Sequence, residues 1–188
     1  MLRVLIYAFL MHLLLTSCEI IPEDAQVRHF VIRQGEHYSS PRYVETLQAH
    51  KLVFEATFDE TAVYDIADYY QDSANKLLGF SDCNSEHHEN SARFGWMWFN
   101  DRLEIHAYCY LNGERQTQFV GVAALNVPAR YEIEIGKSEY VFRFNNNAPV
   151  VMPRGDTCDK GVYYLLWPYF GGEMPAPHDV HVAVRMLR

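Results

Sequence analysis

No apolar run in this chain of 188 residues reaches the length, about 20 residues, that a membrane-spanning helix needs. No Gly-x-Ser-x-Gly elbow holds a serine nucleophile, and no glycine-rich loop cradles a phosphate. Histidines and cysteines do not fall at zinc-site spacing, and no EF-hand-like loop is present. Positive charge is scarce: 16 Lys and Arg stand against 24 Asp and Glu, for a net charge of −8. That balance argues against nucleic acid or an anionic bilayer surface as an electrostatic partner. No βαβ rhythm, internal repeat or low-complexity tract is visible, so a parallel α/β sheet is not expected.

What is present begins at the N-terminus. Met1-Leu2-Arg3 carries one positive charge, Val4 to Leu15 is apolar except for His12, and Leu15-Thr16-Ser17-Cys18 follows. Such a segment is too short to span a bilayer and has the layout of an export signal. Leu-Thr-Ser-Cys resembles the bacterial lipoprotein signal, cut before a cysteine that then carries lipid. The resemblance implies a signal peptide over residues 1–17, a lipidated Cys18 and a tether over 18–26. It also implies a partner (the lipid bilayer, reached through the acylated Cys18) and a location in the cell envelope, extracytoplasmic and on the outer membrane. Several acyl chains, at about 0.8 kcal/mol per buried CH₂, hold a protein on a membrane without a spanning helix. The bland alternative is an ordinary secretory signal in which Cys18 is incidental.

Removing residues 1–17 leaves 171, enough for one domain with a sizeable core, expected over residues 27–188. Export places Cys83, Cys109 and Cys158 in an oxidising compartment. Cys109 ends the period-two apolar series Leu103, Ile105, Ala107 and reads as a buried thiol. Cys83 and Cys158 sit in polar loops, and we expect them to pair.

Thirteen tyrosines, eleven phenylalanines and three tryptophans suit β-structure. Strand patterns recur at Val27–Arg33, Lys51–Phe58, Ser91–Phe99, Arg102–Tyr110, Gln116–Ala124, Arg130–Ile135, Tyr140–Asn145, Val162–Tyr169 and His178–Met186. Turn residues such as Asn100-Asp101 and Asn112-Gly113 separate several of them. The expected fold is all-β, an antiparallel two-sheet sandwich. Between Asp59 and Gly79 apolar residues fall at helical spacing, which predicts a short helix capped by those two residues.

From Ser91 onward, "RYEIEIGKSEYVFRFNNNAPVVM" and "YYLLWPYFGGEMPAPHDVHVAVRML" resemble the paired strands and the closing unit of concanavalin A-like jelly rolls. That group includes lectin, laminin-G-like and glycan-cleaving domains. The resemblance implies a jelly roll whose concave sheet faces glycan. Some members are glucanases with a Glu-x-Asp-x-Glu type strand; Glu132-Ile133-Glu134 lacks the aspartate, so that activity is not carried over.

If Asn100-Asp101 is a two-residue turn, Met97 pairs with Glu104, Gly95 with His106, and Arg93 with Tyr108. Phe94, Trp96 and Trp98 then face the core with Leu103, Ile105, Ala107 and Cys109. Ser91, Arg93, Met97, Glu104, His106, Tyr108 and Tyr110 share the other face, with Gly95 leaving room for a ligand. Tyrosine rings offer flat apolar surface, while Arg, Glu and His serve hydroxyls or a carboxylate. Arg93, Glu104, His106, Tyr108 and Tyr110 are therefore the candidate ligand-binding set, with polysaccharide as the partner, non-catalytically bound. The alternative is a polysaccharide lyase or glycosidase with His106, Tyr108 and Arg93 as catalytic residues. A third reading is a structural envelope protein whose sheet face meets a protein partner, and a fourth is plain cross-strand pairing on a solvated face.

"SDCNSEHHEN", residues 81–90, invites a metal reading but lacks a defining ligand set, and reads better as a solvated polar loop. His178-Asp179 is expected to bond into the Gly171-Gly172 turn. No cofactor is implied; a structural Ca²⁺ is left open, with Asp59 and Asp179 as its candidate ligands.

Overall fold

The structure, a computed structural model, describes residues 26–66, 73–155 and 161–187. The signal segment, Cys18, the tether up to residue 25, and Cys158 lie outside the described residues. One antiparallel sheet is built from β1 (Val27–Ile32), β2 (Ser39–Ser40), β3 (Lys51–Phe58), β8 (Ala129–Ile135), β9 (Glu139–Phe144), β10 (Val150–Pro153) and β12 (Val180–Leu187), in the order β10-β9-β8-β3-β12-β1-β2. The other is built from β4 (Asn75–Ser81), β5 (Ser91–Phe99), β6 (Arg102–Leu111), β7 (Glu114–Ala123) and β11 (Leu165–Leu166), in the order β11-β4-β5-β6-β7.

The sheets meet through alternate side chains, because a strand turns every second residue to one face. Phe54 stacks on Tyr131 at 5.0 Å, and Phe94 packs edge-on against Tyr131 and Phe142 at 5.0 and 5.1 Å. Trp96, Ile105, Ala107 and Cys109 are fully buried from the other sheet. The outer face of the larger sheet is solvated and laced with ion pairs such as Lys51–Glu132 and Arg143–Glu134. The two-sheet antiparallel sandwich expected from the alternating patterns is the fold observed.

The β5–β6 hairpin has the register read from its turn. Asn100 and Asp101 have φ of +51° and +56°, the doubly left-handed form that matches strand twist, and Arg93 stands opposite Tyr108. Cys109 is a buried free thiol, its pKa pushed up by burial first and by Asp82 second. Cys83 is disulfide-bonded; its expected partner is not among the described residues.

Three expectations are corrected. Among the described residues of the span predicted as a helix, Glu60–Ala62 is a single 3₁₀ turn and Asn75–Ser81 is strand β4, while residues 67–72, the middle of that prediction, lie outside the described residues. Asp59 does cap that turn, accepting the Thr61 N–H at 2.9 Å. Gly79 caps nothing: it lies within β4, where a side chain would run into the backbone of Ala92 and Arg93. A bulge between Lys76 and Gly79 breaks the period of two, and so imitates helical spacing. Val162–Tyr169 is strand only at Leu165–Leu166, since Pro168 removes a ladder donor and the flanking residues make isolated bridges. His178-Asp179 bonds elsewhere than the Gly171-Gly172 turn: His178 Nε2 lies 2.9 Å from the Thr61 carbonyl, and Asp179 accepts the Gln34 N–H at 2.8 Å.

The loop after β4 is not simply solvated. Asp82 is fully buried and receives Arg154 through Nε at 2.7 Å and Nη2 at 2.9 Å, together with the Tyr140 hydroxyl. Arg154 also donates to the Gly136 carbonyl at 2.8 Å, so this clasp joins the two sheets at one end.

Candidate functional site

The outward face of the smaller sheet carries a cross-strand row Tyr169–Lys76–Gly95–His106–Phe119, followed by Arg93–Tyr108–Thr117 and Ser91–Tyr110–Arg115. Segments 38–43 and 165–172 rise beside it and enclose a groove of about 440 Å³. The Trp167 indole donates to the Tyr43 carbonyl at 2.9 Å and stacks on Phe30, which fixes this wall to the other sheet.

The groove is cationic. Arg42, Lys76, Arg93, Arg115, His87 and His88 line it, and among the described residues no Asp or Glu does. Elsewhere Arg28, Arg33, Lys51, Arg102, Arg130, Arg143, Arg154 and Arg185 each have a carboxylate partner. Among the described residues the four groove cations have none. Arg93 is 8% exposed; its Nη2 donates to the Trp167 carbonyl at 2.9 Å, while its Nε has no hydrogen-bond partner among the described residues. Burial pulls its pKa down to about 10, against the pull of Tyr108 and Tyr169. The Lys76 ammonium donates to the Gly171 carbonyl at 2.8 Å and lies between two phenols, 5.0 Å from the Tyr108 ring centre and 5.6 Å from that of Tyr169. Burial, then Arg93 and Arg115, pull its pKa down to about 8. A buried cation with no counter-ion is costly, and an anion arriving in the groove relieves that cost.

Aromatic rings continue along the floor and rim. His87 lies 3.9 Å from His88, His88 5.3 Å from Tyr110, and Tyr110 6.0 Å from Tyr108. On the other side Tyr169 stacks on His37 at 5.4 Å and meets Tyr38 edge-on at 4.9 Å. Burial, then Tyr110, raise the Tyr108 pKa to about 12; Tyr169 is raised too, by burial first and Tyr38 second. The His87 pKa is lowered by desolvation first, then by His88 and Arg93.

The expected ligand-binding set is split. Arg93, Tyr108 and Tyr110 line the groove, whereas Glu104 and His106 do not. The Asn75 carbonyl and the Ala74 methyl stand 3.2 and 3.4 Å from where a Gly95 side chain would begin. The room expected above Gly95 is therefore filled by the chain entering β4, and Glu104 and His106 lie beyond it. There Glu104 accepts Arg102 Nε at 2.8 Å and stands 3.2 Å from His106 Nε2. Burial lowers the His106 pKa, against the hydrogen bond and charge of Glu104.

Asp59 and Asp179 are engaged with Thr61 and Gln34, and among the described residues no three His, Cys, Asp or Glu are grouped to hold a metal ion. Lys76, Arg115, Arg42 and Tyr169 were not legible as site residues. Lys76 lay in the supposed helix, and Tyr169 in a segment read as an ordinary core strand.

No family model matches the sequence, and no curated protein matches it. Its fold does match solved structures. An alginate lyase from Chlorella virus superposes with a TM-score of 0.51 at 13% identity over 85% of this chain and 82% of that one. A glycoside hydrolase family 16 endo-glucanase from Bacteroides ovatus gives 0.55 at 10% identity over 87% and 82%. The alginate lyase AlyC3 gives 0.54 at 10% identity over 88% and 75%. The sandwich is thus a concanavalin A-like jelly roll, and at these identities the likeness is one of fold.

Proposed function

We propose that the groove receives an acidic polysaccharide of the polyuronate class, and that the protein cleaves it by β-elimination while anchored through Cys18 in the cell envelope. One observation carries the reading: in a chain of net charge −8, four of the five described Lys and Arg residues without a carboxylate partner, all but Lys137, converge with tyrosines in one groove. Among the described residues the groove lining holds no carboxylate of the pair that hydrolysis usually employs, which favours elimination as the reading. Fold neighbours that are alginate lyases raise the prior by analogy alone.

Elimination needs three roles, and the groove has a residue for each. Lys76 and Arg93 neutralise the uronate carboxylate, which makes the adjacent C5 proton removable. His87, its imidazole kept neutral, accepts that proton. The C5–H electrons form the C4–C5 double bond as the C4–O bond breaks, and Tyr108 or Tyr169, kept protonated, donates to the departing oxygen. Groups whose pKa values are pushed apart, His87 down and Tyr108 up, suit base and acid at one pH.

Incubation with alginate and polygalacturonate, followed at the absorbance of unsaturated products, tests the reading. Rising absorbance is expected. Binding without absorbance would return the protein to a non-catalytic lectin-like role, and binding to no acidic polymer would favour a protein partner instead. The anchor rests on the Leu-Thr-Ser-Cys signal: Cys18→Ser is expected to release the protein from the membrane fraction, and retention would overturn it.

A further inference from the structure

Beyond Gly95 the outward face carries a second compartment of side chains, of different chemistry. Its residues are Arg102, Glu104 and His106 from β6 and Phe119 and Val122 from β7, the outer two strands of the sheet. Phe119 and Val122 are 46% and 45% exposed, an unusual pair of apolar side chains on a solvated face. They are there because of a bulge in β7. Gly121 pairs with Ile105 and Phe119 with His106, so Val120 and Gly121 both turn inward and Phe119 and Val122 both turn out. Gly121 tolerates this because the side chains of Phe144 and Asn147 fill the space its own would need. Bulges commonly re-aim side chains at ligand sites.

The polar groups beside Phe119 are fixed. Glu104 is 6% exposed and held by Arg102, and His106 meets the Phe119 ring edge-on at 5.7 Å. The Arg102 guanidinium lies 5.8 Å from the ring centre. Where the groove gathers cations with no carboxylate, this compartment pairs its one carboxylate with Arg102, and His106 is biased to the neutral form. An anionic residue gains nothing from it. A flat exposed ring flanked by a carboxylate, an imidazole and a guanidinium instead suits a ligand with an apolar face and a rim of hydroxyls.

We propose that this compartment is a binding site for an uncharged pyranose, separate from the cationic groove, with Phe119 as the platform and Glu104 and His106 as hydroxyl partners. It stands in the same cross-strand row as Lys76, three strands away, or about 14 Å at ordinary strand spacing. The polymer that fits the whole face therefore carries uncharged residues beside its acidic ones. The inference rests on the carbohydrate reading above, but not on the acidic substrate or on elimination.

The test is NMR of the histidine-labelled protein, following the His106 ring while uncharged hexasaccharides of glucose, mannose and galactose are added in turn. A saturable shift with at least one of them is expected. Phe119→Ala weakens it about five- to tenfold, the scale of one aromatic contact, and Phe119→Trp restores it. Thermal unfolding of each variant reports that it is folded. Absence of a shift with all three sugars, or a shift indifferent to Phe119→Ala, overturns the proposal. A shift with an uncharged sugar, alongside failure of every polyuronate to bind, would leave this site standing and remove the acidic-substrate reading.

Discussion

Lys76 is held where its charge is a burden to the fold and an asset to the groove. Its ammonium lies between two phenols and near two arginines, and its pKa falls from 10.5 to about 8. The folded chain therefore gives up this proton at a lower pH than the unfolded chain does. Below about pH 8 both states are charged and the fold carries the full penalty; between 8 and 10.5 the unfolded state binds more protons, so stability rises with pH. Lys76→Met is expected to stabilise the protein at pH 7 by roughly 1–2 kcal/mol, allowing for screening and for the lost bond to the Gly171 carbonyl. It is also expected to weaken polyuronate binding at least tenfold, since the groove loses a central cation. Urea unfolding at pH 7 and pH 10 measures the first effect, and the advantage of the variant should shrink at the higher pH. A constant difference would show that the ammonium is not desolvated. Arg93 obeys the same logic, and its place was readable because a two-residue turn dictates what stands opposite Tyr108. Lys76 had no such anchor in the sequence.

At the scale of elements, a bulge decides what each strand can present. The β5–β6 hairpin has none, so its period of two and its turn gave faces and register together. β4 has one between Lys76 and Gly79, and its buried Leu77-Leu78 pair looked helical as a result. β7 has the other, opposite Ile105 and His106, and it places Phe119 and Val122 side by side. Neither the outward face of Phe119 nor its neighbours could be read from alternation, because the bulge interrupts the period of two. Gly121→Ala tests how firmly that bulge is set. A methyl group there would approach the Phe144 ring to 2.8 Å and collide with the Asn147 side chain, which bonds the Val120 carbonyl. The expected cost is about 1–3 kcal/mol, read as a lower melting temperature. The response of His106 to an uncharged sugar should fall with it. A variant as stable as the parent would mean that β7 re-registers freely.

At the scale of the molecule, the groove is an assembly that no single stretch announces. Its walls come from segments 38–43, 87–93, 108–115 and 165–172, with Lys76 at the floor. Sequence patterns report which way a side chain faces, whereas convergence of distant loops follows from how the ends of the sandwich are tied. One tie is Asp82–Arg154. Asp82 opens the loop that carries His87 and His88, and Arg154 also reaches the Tyr163 hydroxyl at 3.2 Å, at the start of the segment that supplies Trp167 and Tyr169. Hydrogen bonding to Asp82 raises the Arg154 pKa, so its charge persists at any working pH. Arg154→Met strands a carboxylate that is fully buried, and such breakage costs about 3–5 kcal/mol against a total of about 5–15 for an ordinary domain. A large fall in the urea midpoint is therefore expected. Adding Asp82→Asn to Arg154→Met should recover part of the loss, because the stranded charge is gone, while Asp82→Asn alone should destabilise. If the two single losses simply add in the double variant, the pair is not coupled. Both groove walls would then be held by their other contacts, chiefly Trp167 with Tyr43 and the loop bonds of Asn84 and Asn90.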